Sequence, residues 1–227
     1  MVVKLDKVVP FGRSFDEYTK MFDLSSEDLH KRILGAGDGP ASFNAEGTVK
    51  GYKITSIDPI YQFDGAEIRQ RFDAVVDNII GQVIATPNNW VWNYHKNPQD
   101  LKANRIEALE KFLQDYDRGK QEGRYLAQEL PNLDFSDRSY DLALCSHFLF
   151  LYSQQLDRDF HLAAIEEMLR VSSEVRIFPL LTLMQETSPH LDFVIDRFND
   201  SGYLTSTVEV PYELQPGANK MLVIKEK

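Results

Sequence analysis

Three glycines at alternate positions, Gly35, Gly37 and Gly39, follow directly on the apolar pair Ile33-Leu34. A strand running into such a loop makes a platform free of side chains, on which a flat, polar, nucleotide-like ligand can lie close to the backbone. Pro40 suits the first turn of a following helix, whose free N–H groups would face that ligand. Asp58 stands 21 residues beyond Gly37, at the end of the apolar run Tyr52 to Ile57, where a carboxylate can accept both hydroxyls of a ribose. A dinucleotide fingerprint, G-x-G-x-x-G, would need its third glycine at position 40, which is Pro40. His147 can act as a general base near neutral pH, or it can simply line a pocket or bond the backbone. Tyr61 and Tyr152 are weaker candidates for the same task. Cys145 reads as a small buried hydrophobe. The five histidines, His30, His95, His147, His161 and His190, show no metal-ligand spacing.

Positioning these groups requires alternating strands and helices, and the chain supplies that pattern. The spacing predicts strands at about 31–35, 52–57, 124–127, 140–146 and 174–180, with a helix from Pro40 to about 48. Helical periodicity is present at Phe160, Ala164, Met168 and Leu169, and again over Leu191 to Phe198. The chain ends in a predicted hairpin, Tyr203 to Tyr212 and Met221 to Ile224, around the turn Gln215-Pro216-Gly217. His147 thereby falls at the carboxyl edge of the fourth strand, where ligands bind in open α/β sheets. Ahead of the first strand, Pro10 to Phe22 predicts a short helix capped at Ser14.

Sixty-four residues separate Asp58 from Gly123, about twice what one crossover helix needs. Two apolar stripes, Ile68 to Ile84 and Leu101 to Tyr116, predict a helical pair inserted over about 62–121. The connection between them holds Trp90, Trp92, Tyr94 and His95. These aromatics either seal the pair against the sheet, as large aromatics favour, or form a lid over a substrate.

The glycine loop, Asp58 and the segment Glu129-Leu-Pro-Asn-Leu-Asp-Phe-Ser-Asp-Arg-Ser-Tyr-Asp-Leu-Ala-Leu-Cys-Ser-His147 together resemble the class I S-adenosylmethionine (SAM)-dependent methyltransferases. The segment departs from the family signature at Asp134, where a proline is usual, and at Tyr140, where a phenylalanine is usual. The resemblance covers about 31–58 and 123–225 and points to an uncharacterised bacterial group. It implies a Rossmann-like α/β fold, with a mostly parallel seven-stranded sheet ending in an antiparallel hairpin. It also implies SAM as cofactor, bound by Gly35, Ala36, Gly37, Asp38, Gly39, Asp58, Glu129, Leu130, Ser146 and His147. Within that set the Glu129 carboxylate and the Leu130 amide would meet the adenine. Asp38 either caps the helix at Pro40, which the residue types favour, or faces the methionine amino group. The family's acid two positions before the first glycine is here Ile33, so that amino group is left to backbone carbonyls or to the N-terminal segment, whose Arg13 or Tyr18 could meet the methionine carboxylate. The activity implied is methyl transfer to a small molecule, with His147 as candidate base. SAM binding without transfer, regulatory or vestigial, is the alternative, and a nicotinamide oxidoreductase is opposed by Pro40.

Composition narrows the partners. At 227 residues and 43% hydrophobic content, one sizeable core and one domain are expected. A formal net charge of −10 and a pI near 5.0 repel polyanions, so neither nucleic acid nor an anionic membrane is an expected partner. The most basic stretch, Lys96 to Arg124, balances seven Lys and Arg against six Asp and Glu and reads as a solvated helix surface. No apolar run approaches the roughly 20 residues of a membrane span, and residues 1–7 lack a secretory signal. The single cysteine suits a reducing cytoplasm.

Overall fold

The structure is a computed structural model that describes residues 8–227. A seven-stranded sheet forms its centre, built from β1 (Arg32–Ala36), β2 (Lys53–Ile57), β3 (Tyr125–Leu126), β4 (Leu142–Ser146), β5 (Glu174–Phe178), β6 (Tyr203–Glu209) and β7 (Lys220–Glu226). The strand order is β3-β2-β1-β4-β5-β7-β6. The first five strands run parallel, and β7 pairs antiparallel with both β5 and β6. This is the mixed, mostly parallel sheet with a reversed C-terminal pair that the sequence led us to expect.

Burial on both faces explains the near-continuous apolar character of the inner strands. Successive residues of β4 alternate between two cores: Ala143 and Cys145 pack with one cluster, Leu142 and Leu144 with the other. On the first face the core is closed by α6 (Arg158–Val171) and α7 (Leu191–Asp200), through residues such as Ala164, Met168 and Val194. The second face is covered by α1 (Phe15–Met21), α2 (Ser26–Leu29) and α3 (Phe43–Val49), through Tyr18, Phe22, Leu29 and Phe43. Cys145 is fully buried as a free thiol, and burial pushes its pKa up to about 12.

The long connection between β2 and β3 folds into two helices, α4 (Gly65–Ala85) and α5 (Pro98–Gln121). Both start on side-chain caps, Asp64 accepting from the Glu67 amide and Asn97 from the Asp100 amide. Their facing stripes form a third core, in which Phe72, Val76, Leu109, Phe112 and Tyr116 pack with Tyr61 and Tyr125. Trp90 and Trp92 are half-buried against this core.

Two expectations about α-helical segments need correction. The helix after the glycine loop starts at Phe43, not near Pro40, and its N-cap Ser42 makes no side-chain cap bond. The reason is tertiary: the Ser42 amide donates instead to the Arg13 carbonyl at 3.0 Å, so the N-terminal segment takes the place of another turn. Nor is Lys96 to Arg124 simply a solvated surface, because Arg105 is 1% exposed.

Candidate functional site

The loop after β1 takes the backbone shape that glycine permits. Gly37 and Gly39 have φ of +70° and +54°, in the left-handed region that disfavours residues with a Cβ. A Cβ on Gly37 would lie 3.3 Å from the Phe148 ring, so an aromatic side chain borders the loop there. A Cβ on Gly39 would meet nothing nearer than Asp58 Oδ2 at 3.9 Å. Open space therefore lies on the Cβ side of the third glycine, next to the acid at the end of β2.

Asp58 is held firmly. Its Oδ2 accepts from the Gly39 amide at 2.9 Å and its Oδ1 from the Ile60 amide at 2.8 Å. Each carboxylate oxygen retains a further lone pair, so the two bonds orient the group without exhausting it. Burial raises its pKa to about 6, against those two amide bonds, and the nearby Glu129 carboxylate adds to the rise. Glu129 itself is exposed, and Leu130 beside it is buried. Tyr61 is occupied structurally, donating to the Gly39 carbonyl at 2.7 Å within an aromatic cluster, which removes it from the candidate bases.

Asp38 does not make the helix cap that its residue type favours, since α3 starts later, and it is turned inward, 5% exposed. Its carboxylate fills the space beside Gly35, where a Cβ would come within 1.9 Å of Oδ2. Tyr18 Oη donates to Oδ1 at 2.7 Å and Ser56 Oγ to Oδ2 at 2.6 Å. Burial pushes its pKa up to about 7; the two donors oppose that rise and the Asp58 charge adds to it. Asp38 thus braces α1 and β2 against the loop, and Tyr18 is committed to that brace. Ile33 is fully buried in the core and offers no polar contact.

At the end of β4, His147 has a φ of +52°, a strained conformation for a residue with a Cβ. Two bonds hold it there: its amide donates to the Phe178 carbonyl at 2.7 Å, and its Nδ1 lies 2.9 Å from Ser146 Oγ. Burial, followed by the charges of Arg13 and Arg105, keeps the imidazole well below its ordinary pKa, so it is neutral throughout the physiological range.

His147 lines a cavity of about 800 Å³, counting the open space at its mouth. Arg13, Trp90, Tyr152, Phe178 and Tyr212 also line it, whereas Gly35, Gly37, Gly39, Asp58 and Glu129 do not. The cavity thus sits at the carboxyl ends of β4 and β5 and adjoins the glycine loop on the His147 side. Of the two tryptophans in the insertion only Trp90 reaches it, oriented by Nε1 donating to Thr86 Oγ1 at 3.1 Å.

Beside this cavity is a buried ionic cluster that the sequence reading missed. Glu17 is 0% exposed and receives Arg105 in two bonds of 2.6 and 2.7 Å, Tyr212 Oη at 2.9 Å and the Ser14 amide at 2.9 Å. His95 Nε2 lies 3.3 Å from the same carboxylate. Arg105 could have been found from spacing, because it falls in register with Leu101, Leu109, Phe112 and Tyr116 on the apolar face of α5.

No protein-family model matches the chain. Over 227 residues it is 35% identical to the uncharacterised protein MJ0045 of Methanocaldococcus jannaschii, with 98% of each sequence covered. That relative is archaeal, whereas the expectation was of a bacterial group. Among solved structures, the chain is similar to the magnesium protoporphyrin IX methyltransferase of Synechocystis PCC 6803 with bound SAM. The two share 12% identity over 94% of this chain and 78% of that one, with a TM-score of 0.47. It is also similar to the PH0226 protein of Pyrococcus horikoshii OT3, at 6% identity, 94% and 91% coverage and a TM-score of 0.48. A third similar structure is the 1,6-didemethyltoxoflavin-N1-methyltransferase of Burkholderia thailandensis with its ligand and S-adenosylhomocysteine, at 13% identity, 89% and 76% coverage and a TM-score of 0.45.

Proposed function

We propose that this chain, which belongs to one family with the uncharacterised M. jannaschii protein MJ0045, binds SAM across Gly35–Gly39 and Asp58 and methylates a small molecule held in the cavity beside His147. One observation carries this reading. Strand order reverses between β1 and β4, and ligands of open α/β sheets bind outside the carboxyl ends of the strands at such a switch point. On one side of that point lies the left-handed glycine loop facing Asp58; on the other lie His147 and the cavity.

Charge favours SAM over a dinucleotide. Asp58 acts on Asp38 and Glu129 on Asp58 around the loop, and the negative charge they carry, partial at neutral pH for Asp38 with its pKa of about 7, suits a cationic sulfonium and opposes a pyrophosphate. In this reading Asp58 holds the sugar hydroxyls, the Glu129 carboxylate accepts from the adenine amine, and the Leu130 amide donates to a ring nitrogen. Bound SAM supplies an electrophilic methyl group, so the chain's own task is to align an acceptor with it and exclude water. His147 contributes a neutral imidazole, and in the tautomer whose Nδ1–H donates to Ser146 Oγ its Nε2 is left to accept a hydrogen bond from the acceptor. Its depressed basicity makes it a weak proton acceptor, so alignment carries most of the rate.

That same weak basicity favours a second reading, SAM binding without transfer. Calorimetric titration with SAM, S-adenosylhomocysteine and NAD tests the cofactor, and Asp58→Ala is expected to weaken SAM by roughly 1.5–3 kcal/mol, the scale of hydrogen bonds to a charged group. Binding of NAD but not SAM would sink the proposal. Single-turnover transfer of labelled methyl from SAM into a metabolite extract then separates the enzyme from the binding protein.

A further inference from the structure

One cationic side chain in the cavity has no ion-pair partner among the described residues. Arg13 lines the cavity wall, and its Nη1 donates to the Phe11 carbonyl at 2.5 Å. Its Nε is sealed from solvent and has no hydrogen-bond partner among the described residues. Among the described residues, no carboxylate comes within ion-pair distance of its guanidinium. The nearest buried acid, Glu17, is already committed to Arg105, Tyr212 and the start of α1. Arg13 therefore stands beside a second guanidinium that is paired with Glu17, while no described carboxylate pairs with its own. Burial, then the Arg105 charge, push its pKa down to about 10, which still leaves it protonated at neutral pH.

Most of the remaining wall is apolar, supplied by residues such as Val9, Phe11, Val83, Leu151, Phe178 and Leu183, and its other polar groups are the uncharged side chains of His147, Tyr152, Tyr212, Trp90 and Gln215. Such a site matches a molecule with an apolar body and one negative charge, and its lining offers a phosphate one cationic side chain. We propose that the acceptor is a small apolar carboxylic acid whose carboxylate pairs with Arg13. That the acid is a methyl acceptor rests on the methyltransferase reading, whereas its capture by the cavity can be measured without cofactor. A carboxylate could also arrive on the methionine end of SAM. The cavity's position favours the acceptor, because neither the glycine loop nor Asp58 lines it.

The test is calorimetry with benzoate, phenylacetate, 3-phenylpropionate, indole-3-acetate and octanoate, each beside its primary amide, with and without S-adenosylhomocysteine. At least one acid is expected to bind roughly tenfold or more tightly than its amide, the minimum for a charge-assisted pair. Arg13→Gln should erase that preference while leaving amide affinity within about twofold, and Arg13→Lys, which keeps the charge, should retain part of it. Affinity for S-adenosylhomocysteine should be unchanged in both variants. The proposal is overturned if no acid binds or if acids and amides bind alike. It is equally overturned if Arg13→Gln weakens S-adenosylhomocysteine and spares the acids, since Arg13 would then serve the methionine carboxylate. If wild-type protein binds an acid but neither SAM nor S-adenosylhomocysteine, the cofactor reading fails and the carboxylate site stands.

Discussion

Replacing Asp38 with asparagine should make the protein more stable at neutral pH and leave it nearly unchanged in mild acid. The carboxyl group is buried between Tyr18 and Ser56, and its pKa is raised to about 7. In the unfolded chain it titrates near 3.9. Because the folded value lies above the unfolded one, the group's contribution to stability is fully present below about pH 4 and is lost as the pH rises through about 7. At about 1.4 kcal/mol per pH unit, the loss amounts to about 4 kcal/mol at most. Asparagine resembles the protonated acid: its carbonyl can accept from Tyr18, and Ser56 Oγ, which already accepts from Asn44 at 3.2 Å, can accept a second donor. Urea unfolding of both proteins at about pH 4.5 and about pH 7.5 should show the stability gap widening by about 3 kcal/mol in favour of the variant. Taking the difference matters, because His147 and His161 have lowered pKa values and shift wild-type stability in the opposite direction over part of this range. Those contributions cancel between the two proteins. Parallel pH profiles would show that Asp38 is ionised at no cost, and the account of the loop's charge would be wrong.

Three other perturbations probe the same region. Glu17→Gln leaves Arg105 buried without its carboxylate and should cost about 3–5 kcal/mol in urea unfolding; a loss under about 1 kcal/mol would mean the cluster is solvated. Arg13→Met removes a part-buried cation with no ion-pair partner among the described residues and should raise the stability of the ligand-free protein by about 1–3 kcal/mol, so a fall in Tm would contradict the charge assignment. Trp90→Ala should raise the acceptor's KM or change which acceptor is used, while Trp92→Ala, outside the cavity, should alter only stability; equal effects on KM would remove the distinction.

The parts of this site that sequence makes legible are those with local causes. A strand ending in alternate glycines demands left-handed backbone wherever it occurs, and Gly37 and Gly39 adopt it. Ser14 caps α1 as its residue type and the following Glu17 dictate, and the two stripes of the insertion fold as paired helices. What sequence leaves open depends on partners far along the chain. Pro40 signals a helix start, but the Arg13 carbonyl captures the Ser42 amide and delays it. Asp38 looks like a cap until Tyr18 and Ser56, from two other elements, draw it inward. Glu17 completes its own helix cap and also pairs with Arg105, 88 residues away; only the placement of Arg105 on an apolar stripe hints at the second role.

The N-terminal segment connects the two halves of the site, and it does so with opposite electrostatic results. Through Tyr18 it touches Asp38 on the loop side, where Asp58 and Glu129 add further negative charge. Through Glu17 it meets Arg105 from the insertion and Tyr212 from the C-terminal hairpin, and Arg13 gives the cavity side one positive charge that no described carboxylate pairs with. A sheet edge divided in this way, acidic at β1 and β2 and basic in front of β4 and β5, discriminates between ligands by sign before it discriminates by shape. A cationic methyl donor and an anionic acceptor would each find the complementary side, and exchanging them would set like charges against each other in a poorly solvated space. The polarity of the edge therefore supports both the cofactor and the acceptor class from a single arrangement of charges.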